Sequence, residues 1–211
     1  MIASAHPLAR LELAGNALSL DFANTLNYRP KPARDYLASY PELLDWSEYA
    51  GSLPSAAVRP LRPLAGSPQA AAVLADAHRL RDTIFAVFSA IAAGRRPGTA
   101  DVERLSEAYA GAMRNTRIAG VATAGAEERD RGYGLSWPVE PGQVDAPLWP
   151  VAHSAGDLLM SGPLERIGEC PSCGWLFLDT SRNGTRRWCS MATCGSRDKM
   201  ARYHRRQRQV D

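Results

Sequence analysis

Apolar residues recur at spacings of three and four in one long stretch of the chain, which is the period of an amphipathic helix. The stretch lies between residues 67 and 94, and its apolar face consists of Val73, Ala77, Leu80, Ile84, Phe88 and Ile91. Ser67 suits the N-cap position, Pro68 the first helical position, and Gly94 the position just after the last turn. These features predict a helix over this stretch.

Three further helices are predicted by weaker patterns of the same kind. One follows Pro41 and ends at Gly51, one begins after Thr99, and one begins near Pro147 and ends at Gly162.

Strands are predicted where apolar residues recur at every second position. Small or polar residues alternate with larger apolar ones over residues 15–22, after a Gly-Asn turn, which predicts a short strand. Residues 117–124 and 133–139 predict two more, although their glycines weaken both patterns. Residues 52–67 contain three prolines and predict a connecting segment.

Composition places the chain among globular proteins. It has 211 residues, 45% of them hydrophobic and 22% charged, which excludes intrinsic disorder as an overall description. No run approaches the ~20 apolar residues of a membrane span. The first 20 residues lack the pattern of a signal peptide, so the cytoplasm is the expected compartment, where cysteines are more often metal ligands or catalysts than disulfides.

Charge is distributed unevenly along the chain. Residues 1–181 carry 16 basic and 20 acidic side chains, whereas residues 182–211 carry 9 basic and 2 acidic ones. A basic segment beside an acidic remainder indicates a polyanionic partner such as nucleic acid.

The four cysteines have the spacing C-x2-C-x15-C-x4-C, formed by Cys170, Cys173, Cys189 and Cys194. Four thiolates suit a closed tetrahedral site, so the spacing predicts one structural Zn²⁺. Two disulfides or a redox CxxC are alternatives, but neither has the expected sequence context. Loss of one cysteine is expected to loosen residues 166–211 and to leave the N-terminal helices folded.

A hairpin and a helix are predicted around the cysteines. Residues 175–178 form one arm, residues 181–184 the Asn-Gly turn, and residues 187–188 the other arm. The segment after Cys194 has neither Gly nor Pro from Ser196 onward, which predicts a helix capped by Ser196. This order of knuckle, hairpin and helix is that of a treble clef.

Motifs at both ends of the chain resemble a known pair of modules. Residues 194–197, Cys-Gly-Ser-Arg, are similar to the motif of the CGNR zinc-finger family, and residues 20–25, Leu-Asp-Phe-Ala-Asn-Thr, resemble the opening motif of the ABATE domain. The family's Asn is Ser196 here. Both residue types can cap a helix; if the family's Asn instead contacts a base, the exchange alters sequence preference.

The resemblance implies a bacterial, stress-linked transcription regulator with an ABATE-like sensor domain over residues 1–164 and a CGNR-type finger over residues 165–211. Its expected partners are duplex DNA and a small-molecule effector, with no membrane. The candidate DNA contacts are Arg182, Arg186, Arg187, Arg197, Lys199, Arg202, Arg205 and Arg206. The alternative is a solvated basic helix that docks on the acidic part of the chain.

Polar residues of the N-terminal part are candidates for a ligand pocket: Asp21, Asn24, Thr25 and His153. Alternatively, Asn24 caps a turn and His153 is a partly buried histidine with satisfied hydrogen bonds. The sequence contains no nucleophile motif, no Gly-rich phosphate loop and no HExxH, so we do not expect an enzyme.

Together these patterns predict an α+β fold: a mostly helical N-terminal domain with a few short strands, then a C-terminal treble-clef zinc finger. The expected function is that of a DNA-binding transcription regulator with a structural zinc site of four cysteines. The alternative function is a zinc-stapled protein-interaction module without DNA contact.

Overall fold

The computed structural model describes Leu8 and residues 11–27, 34–121 and 132–207, with the backbone alone for residues 121 and 202–206. Seven α-helices lie within these ranges. Their bounds are α1 Leu18–Ala23, α2 Tyr40–Tyr49, α3 Ser55–Val58, α4 Pro68–Ala92, α5 Thr99–Arg114, α6 Trp149–Ser161 and α7 Ser196–Gln207.

The strands of the described residues form three separate antiparallel pairs. They are β1 Leu26–Asn27 with β2 Arg34–Asp35, β3 Arg117–Val121 with β4 Gly132–Ser136, and β5 Ile167–Glu169 with β6 Leu176–Leu178. The strands predicted at 117–124 and 133–139 are thus largely confirmed, and residues 122–124 lie outside the described residues. Helices dominate and the sheets are small, which confirms the α+β class.

Helix α4 begins and ends where its sequence predicts. The Ser67 hydroxyl accepts a hydrogen bond from the Ala70 backbone N–H at 3.1 Å, and Pro68 occupies the first turn. Gly94 has φ +67°, the left-handed conformation that commonly follows the last turn of a helix. The predicted helices at α2, α5 and α6 are confirmed as well.

Two predictions for the N-terminal part were wrong. Residues 18–23 form helix α1 rather than a strand, and five of its six residues are buried. A helix buried on nearly all sides has no polar face, so the alternation at 15–22 did not report a strand. The predicted connecting segment 52–67 contains α3 and a 3₁₀ helix, Arg59–Leu64. Pro54 precedes α3 and Pro60 lies in the first turn of the 3₁₀ helix, where proline is tolerated. Pro63 lies within the 3₁₀ helix.

One hydrophobic core extends from the N-terminal helices into the cysteine-rich region. Phe22 of α1 packs edge-on against Trp46 of α2, with 5.0 Å between ring centroids. Leu176 and Phe177 of β6 are buried in the same core, and α4 contacts both β5 and β6. Among the described residues, no helix is long and apolar enough to cross a membrane.

Candidate metal centre and basic surface

The first two cysteines lie on a tight knuckle between β5 and β6. The Gly174 N–H donates to the Cys170 carbonyl, and the Cys170 N–H donates to the Trp175 carbonyl, both at 2.8 Å. Gly174 has φ +75°, a conformation that costs glycine little. The backbone thereby turns Cys170 and Cys173 toward one side.

The second pair of cysteines approaches from the chain that leads into α7. Cys194 lies in a π-helical turn, Met191–Gly195, that directly precedes α7. The Gly195 N–H closes this turn on the Ser190 carbonyl at 3.0 Å. The start of α7 therefore holds the fourth thiol in place.

The four sulfur atoms converge with the spacing of a zinc site. All lie within 4.8 Å of one another, and all four cysteines are buried. Cys173 Sγ is 3.5 Å from Cys189 Sγ, and Cys189 Sγ is 3.6 Å from Cys194 Sγ. Four Zn–S bonds of about 2.3 Å place tetrahedral sulfurs about 3.8 Å apart, whereas a disulfide needs about 2.05 Å. The four cysteines therefore fit a Zn²⁺ site, and their Sγ–Sγ distances are too long for disulfides.

The charge of the cluster also favours a cation. Hydrogen bonds from Cys173 and Cys189 hold the pKa of Cys170 well below its usual range. Hydrogen bonding to Cys170 in turn raises the pKa of Cys173 to about 12 and also raises the pKa of Cys189. Metal ligands must be deprotonated, and thiolates held this close repel one another, so a divalent metal is the partner that offsets their charge.

The predicted hairpin of the metal module is only half correct. Its turn is present, with Gly184 at φ +62°, but β6 pairs with β5 and not with residues 187–188. Instead of strand pairing, the Asp179 carboxylate holds the two sides of the turn together. It accepts hydrogen bonds from the Ser181 N–H at 2.8 Å and from the Arg186 N–H at 2.7 Å. Hydrogen bonding, first from Ser181, keeps the pKa of Asp179 below its usual value.

The free edge of β6 is covered by the N-terminal part of the chain. The Leu178 N–H donates to the Gly15 carbonyl at 2.8 Å, and the Asn16 side-chain amide donates to the Leu178 carbonyl at 2.9 Å. The Asn24 side chain bonds both backbone groups of Leu176, each at 2.8 Å, and is completely buried. The metal module is therefore hydrogen-bonded into the N-terminal helices.

Arg186 is part of this internal support. Its guanidinium donates to backbone carbonyls, including Ala14 at 2.8 Å and Leu178 at 3.3 Å, and to the carbonyl of the ligand Cys189. It also lies 4.5 Å above the Phe177 ring. These contacts occupy donors that a phosphate would need.

The predicted pocket residues form internal contacts. Thr25 is buried, and its hydroxyl donates to the Phe22 carbonyl at 2.7 Å. His153 is half-buried beside two aromatic rings, Tyr109 at 5.9 Å and Trp137 at 5.6 Å. Asn24, Thr25 and His153 thus all have contacts within the protein, and a ligand pocket at these residues stays a prediction.

Asp21 is the one strongly perturbed carboxyl of this group. Burial raises its pKa to about 6, although the Gly15 N–H, which donates at 2.7 Å, and the charge of Arg186 oppose this shift. The folded protein therefore binds this proton more tightly than the unfolded chain does. The free energy of unfolding falls as pH rises from about 4 to 6, by up to about 3 kcal/mol.

Asp21→Asn is expected to raise the free energy of unfolding at pH 7 by up to about 3 kcal/mol, because the amide keeps the acceptor for Gly15 without the buried charge. Urea unfolding at pH 4.5 and pH 7 measures this, and the difference between the two pH values should shrink in the variant. Asp157→Asn, at an exposed carboxylate on α6, is the matched control. A variant less stable than wild type at pH 7 would show that the attraction to Arg186 outweighs burial.

Comparison with known families matches both parts of the chain. Residues 16–162 match the ABATE family, described as "Putative stress-induced transcription regulator". The chain belongs to the ABATE family. Residues 166–207 of this ABATE protein match the CGNR zinc finger, in the order that the sequence motifs predict. No curated protein matches the chain in sequence. Both families are of regulator or zinc-finger type rather than enzymes.

The basic candidates differ in their surroundings. Arg182, Arg197 and Lys199 are exposed. Arg187 is exposed and lies 5.0 Å above the Trp188 ring. The side chains of Arg202, Arg205 and Arg206 lie outside the described residues.

Ser196 does not cap α7, contrary to the prediction. It already has helical backbone angles, φ −63° and ψ −40°. Its hydroxyl donates backward to the Met191 carbonyl at 3.1 Å instead of accepting from an amide of the first turn.

Sequence reasoning missed the part played by Asp179. An Asp that bonds the N–H two residues later is an Asx turn, so Asp179 and Ser181 offered a local indication. Nothing local indicated that Arg186 bonds Ala14, because 172 residues separate them.

Proposed function

We propose that this ABATE protein is a transcription regulator whose zinc module binds duplex DNA. The observation that carries the proposal is the charge segregation: the last 30 residues have a net charge of +7 and the preceding 181 a net charge of −4. Because an acidic surface is repelled by phosphate, long-range attraction to DNA would come from the zinc module alone.

A shallow concave surface beside the cysteines suits a sugar–phosphate backbone. Its volume is about 690 Å³, and its lining includes hydroxyl groups, an indole and two guanidinium groups: Thr180, Ser181, Thr185, Arg186, Arg187, Trp188 and Ser190. Hydroxyl and guanidinium donors are the usual partners of phosphate oxygens. Arg187 is the proposed contact on this surface, and Arg182 is the proposed contact in the adjoining turn. On α7 the proposed contacts are Arg197, Lys199, Arg202, Arg205 and Arg206, and Arg186 is left out because carbonyls occupy its donors.

Helix α7 is the proposed reading element of a treble-clef module. It begins directly after the Cys194 turn, so the zinc site holds its first turn in place. Ser196 is exposed there, which supports a contact to DNA in place of a capping role. The N-terminal domain, residues 1–164, is the proposed sensor of a small-molecule effector.

The test compares charge reversal on two surfaces of the full-length, zinc-loaded chain. Wild type should bind genomic DNA fragments at ~50 mM salt and lose affinity steeply by ~200 mM. Arg182→Glu with Arg187→Glu should weaken binding at least about tenfold and flatten the salt slope by about 0.9 for each phosphate that is no longer neutralised. Fluorescence anisotropy with labelled fragments measures both effects.

The matched control is Arg95→Glu with Arg96→Glu, at exposed positions between α4 and α5. It makes the same change in net charge and should leave affinity almost unchanged. Equal reductions in both double variants would mean that net charge, and not the zinc module, governs binding. If wild type does not bind DNA at ~50 mM salt, the protein-interaction module is the better description.

A further inference from the structure

A cavity of about 470 Å³ lies where α4, α5 and the start of α6 meet, and none of the residues discussed so far as pocket candidates lines it. Its size falls within the range of small-molecule sites. The cavity opens to solvent, since Arg79, Arg104 and Arg114 in its lining are exposed. An open cleft that combines apolar surface with a few charged groups is the usual form of a ligand site.

The floor of the cavity is apolar. Leu80 of α4 and the buried Trp149 of α6 provide large apolar surfaces. The α5 side is lined by small residues, Ala108, Gly111 and Ala112, so that helix leaves the space unfilled. The indole N–H of Trp149 is bonded to the Asp145 carboxylate at 2.9 Å, which leaves the ring as an apolar surface.

Three arginines surround this floor. Arg79 is paired with Asp76, and Arg104 with Asp101, each through a single nitrogen. Arg114, in the last turn of α5, lines the cavity and has no ion pair with any residue that the structure describes. A guanidinium carries five N–H donors in a planar fork, so donors remain for a ligand.

The guanidinium groups favour an anion over a cation here, because they are weakly hydrated and match carboxylates bidentately. The start of α6 adds no free donor: the Leu148 N–H donates to the Asp145 carbonyl at 2.9 Å and the Trp149 N–H to the Ala146 carbonyl. The next residue, Pro150, has no N–H. Of the acidic lining residues, Asp76 and Asp145 already have partners, which leaves Glu107 as the single unpaired acid among the described residues of the cavity.

We propose that this cavity binds a small apolar carboxylic acid, with its carboxylate on Arg114 and its apolar body against Trp149 and Leu80. The inference rests on the proposed sensor role of the N-terminal domain and gives that role a site and a ligand class. The site differs from the Asn24 region, whose polar groups bond β6.

The test uses three probes of nearly the same shape and different charge: indole-3-acetate, indole-3-acetamide and tryptamine. Isothermal titration calorimetry with the full zinc-loaded chain, without DNA, measures their binding. Indole-3-acetate should bind at least about tenfold more tightly than the neutral amide, because the amide cannot form the charge-assisted bidentate bond. Tryptamine should bind more weakly than both.

Two variants locate the binding site. Arg114→Gln should lower the affinity for indole-3-acetate at least about tenfold, to a value close to the affinity for indole-3-acetamide. Gly111→Leu should abolish binding by filling the cavity. A Cβ at position 111 has ordinary contacts, with the Arg114 guanidinium at 3.6 Å, and leucine favours a helix over glycine, so the melting temperature should not fall.

The control is Arg96→Gln, which removes an exposed arginine outside the cavity and should leave binding unchanged. The proposal is overturned if indole-3-acetate does not bind at millimolar concentration, if tryptamine binds more tightly, or if Gly111→Leu binds as wild type does. Because DNA is absent, these results are independent of the regulator proposal. If the probe binds and DNA does not, the cavity proposal is supported and the regulator proposal is contradicted. If DNA binds and the probe does not, only the cavity proposal is overturned.

Discussion

Cys173→Ser is expected to remove the zinc ion and to destabilise the N-terminal helices together with residues 166–207. Structural zinc contributes about 10–16 kcal/mol in small fingers near neutral pH, as much as the whole stability of many domains. β6 follows directly on the knuckle, and its Leu176 and Phe177 are buried in the common core. When the knuckle opens, this side of the core is exposed to water.

Elemental analysis, thermal unfolding by circular dichroism and hydrogen exchange measure the three parts of this prediction. Zinc should fall from one ion per chain to none, and amide protection should fall in α1 and α4 as well as in the module. Ser172→Ala, in the same knuckle but without a ligand atom, is the matched control and should keep its zinc. If the zinc is lost while α1 and α4 stay protected, the module is independent of the helices, as the sequence alone led us to expect.

The parts of the fold that could be predicted from sequence are those fixed by neighbours along the chain. Ser67, Pro68 and Gly94 mark the ends of α4 because capping and positive φ act within one turn. The zinc ligands are equally local: the members of each pair are three and five positions apart along the chain, and the chemistry of thiolates identifies the metal.

The parts that could not be predicted depend on contacts between distant residues. Helix α1 was mistaken for a strand because it is buried on nearly all sides, so its periodicity does not show which neighbours cover it. Strand β6 pairs with β5, and its other edge is hydrogen-bonded by the Gly15 carbonyl and the Asn16 side chain rather than by the segment that follows its own turn. The sequence gives the charge of Arg186 but not the backbone carbonyls that surround it, because these come from distant residues such as Ala14.

Asn24→Ala is expected to be the most damaging single change outside the metal ligands. It removes two hydrogen bonds and leaves the buried N–H and C=O of Leu176 without partners. An unsatisfied buried polar group costs about 1–3 kcal/mol, so the free energy of unfolding should fall by about 3–5 kcal/mol. For a chain of this size that lowers the melting temperature by about 10 °C, which differential scanning calorimetry measures.

Asn16→Gly is the control that separates burial from removal of a hydrogen bond. Asn16 also donates its side-chain amide to β6, at the Leu178 carbonyl, but this bond is exposed, so water can replace the amide. Glycine accepts the positive φ of +58° at this position, and the decrease in the free energy of unfolding should stay near 1 kcal/mol.

Zinc release to a chelator should be accelerated in Asn24→Ala far more than in Asn16→Gly, because Leu176 is only three residues from the ligand Cys173. If both variants release zinc at the wild-type rate, β6 does not transmit stability from α1 to the metal centre, and the two parts of the chain are held together by the apolar core alone.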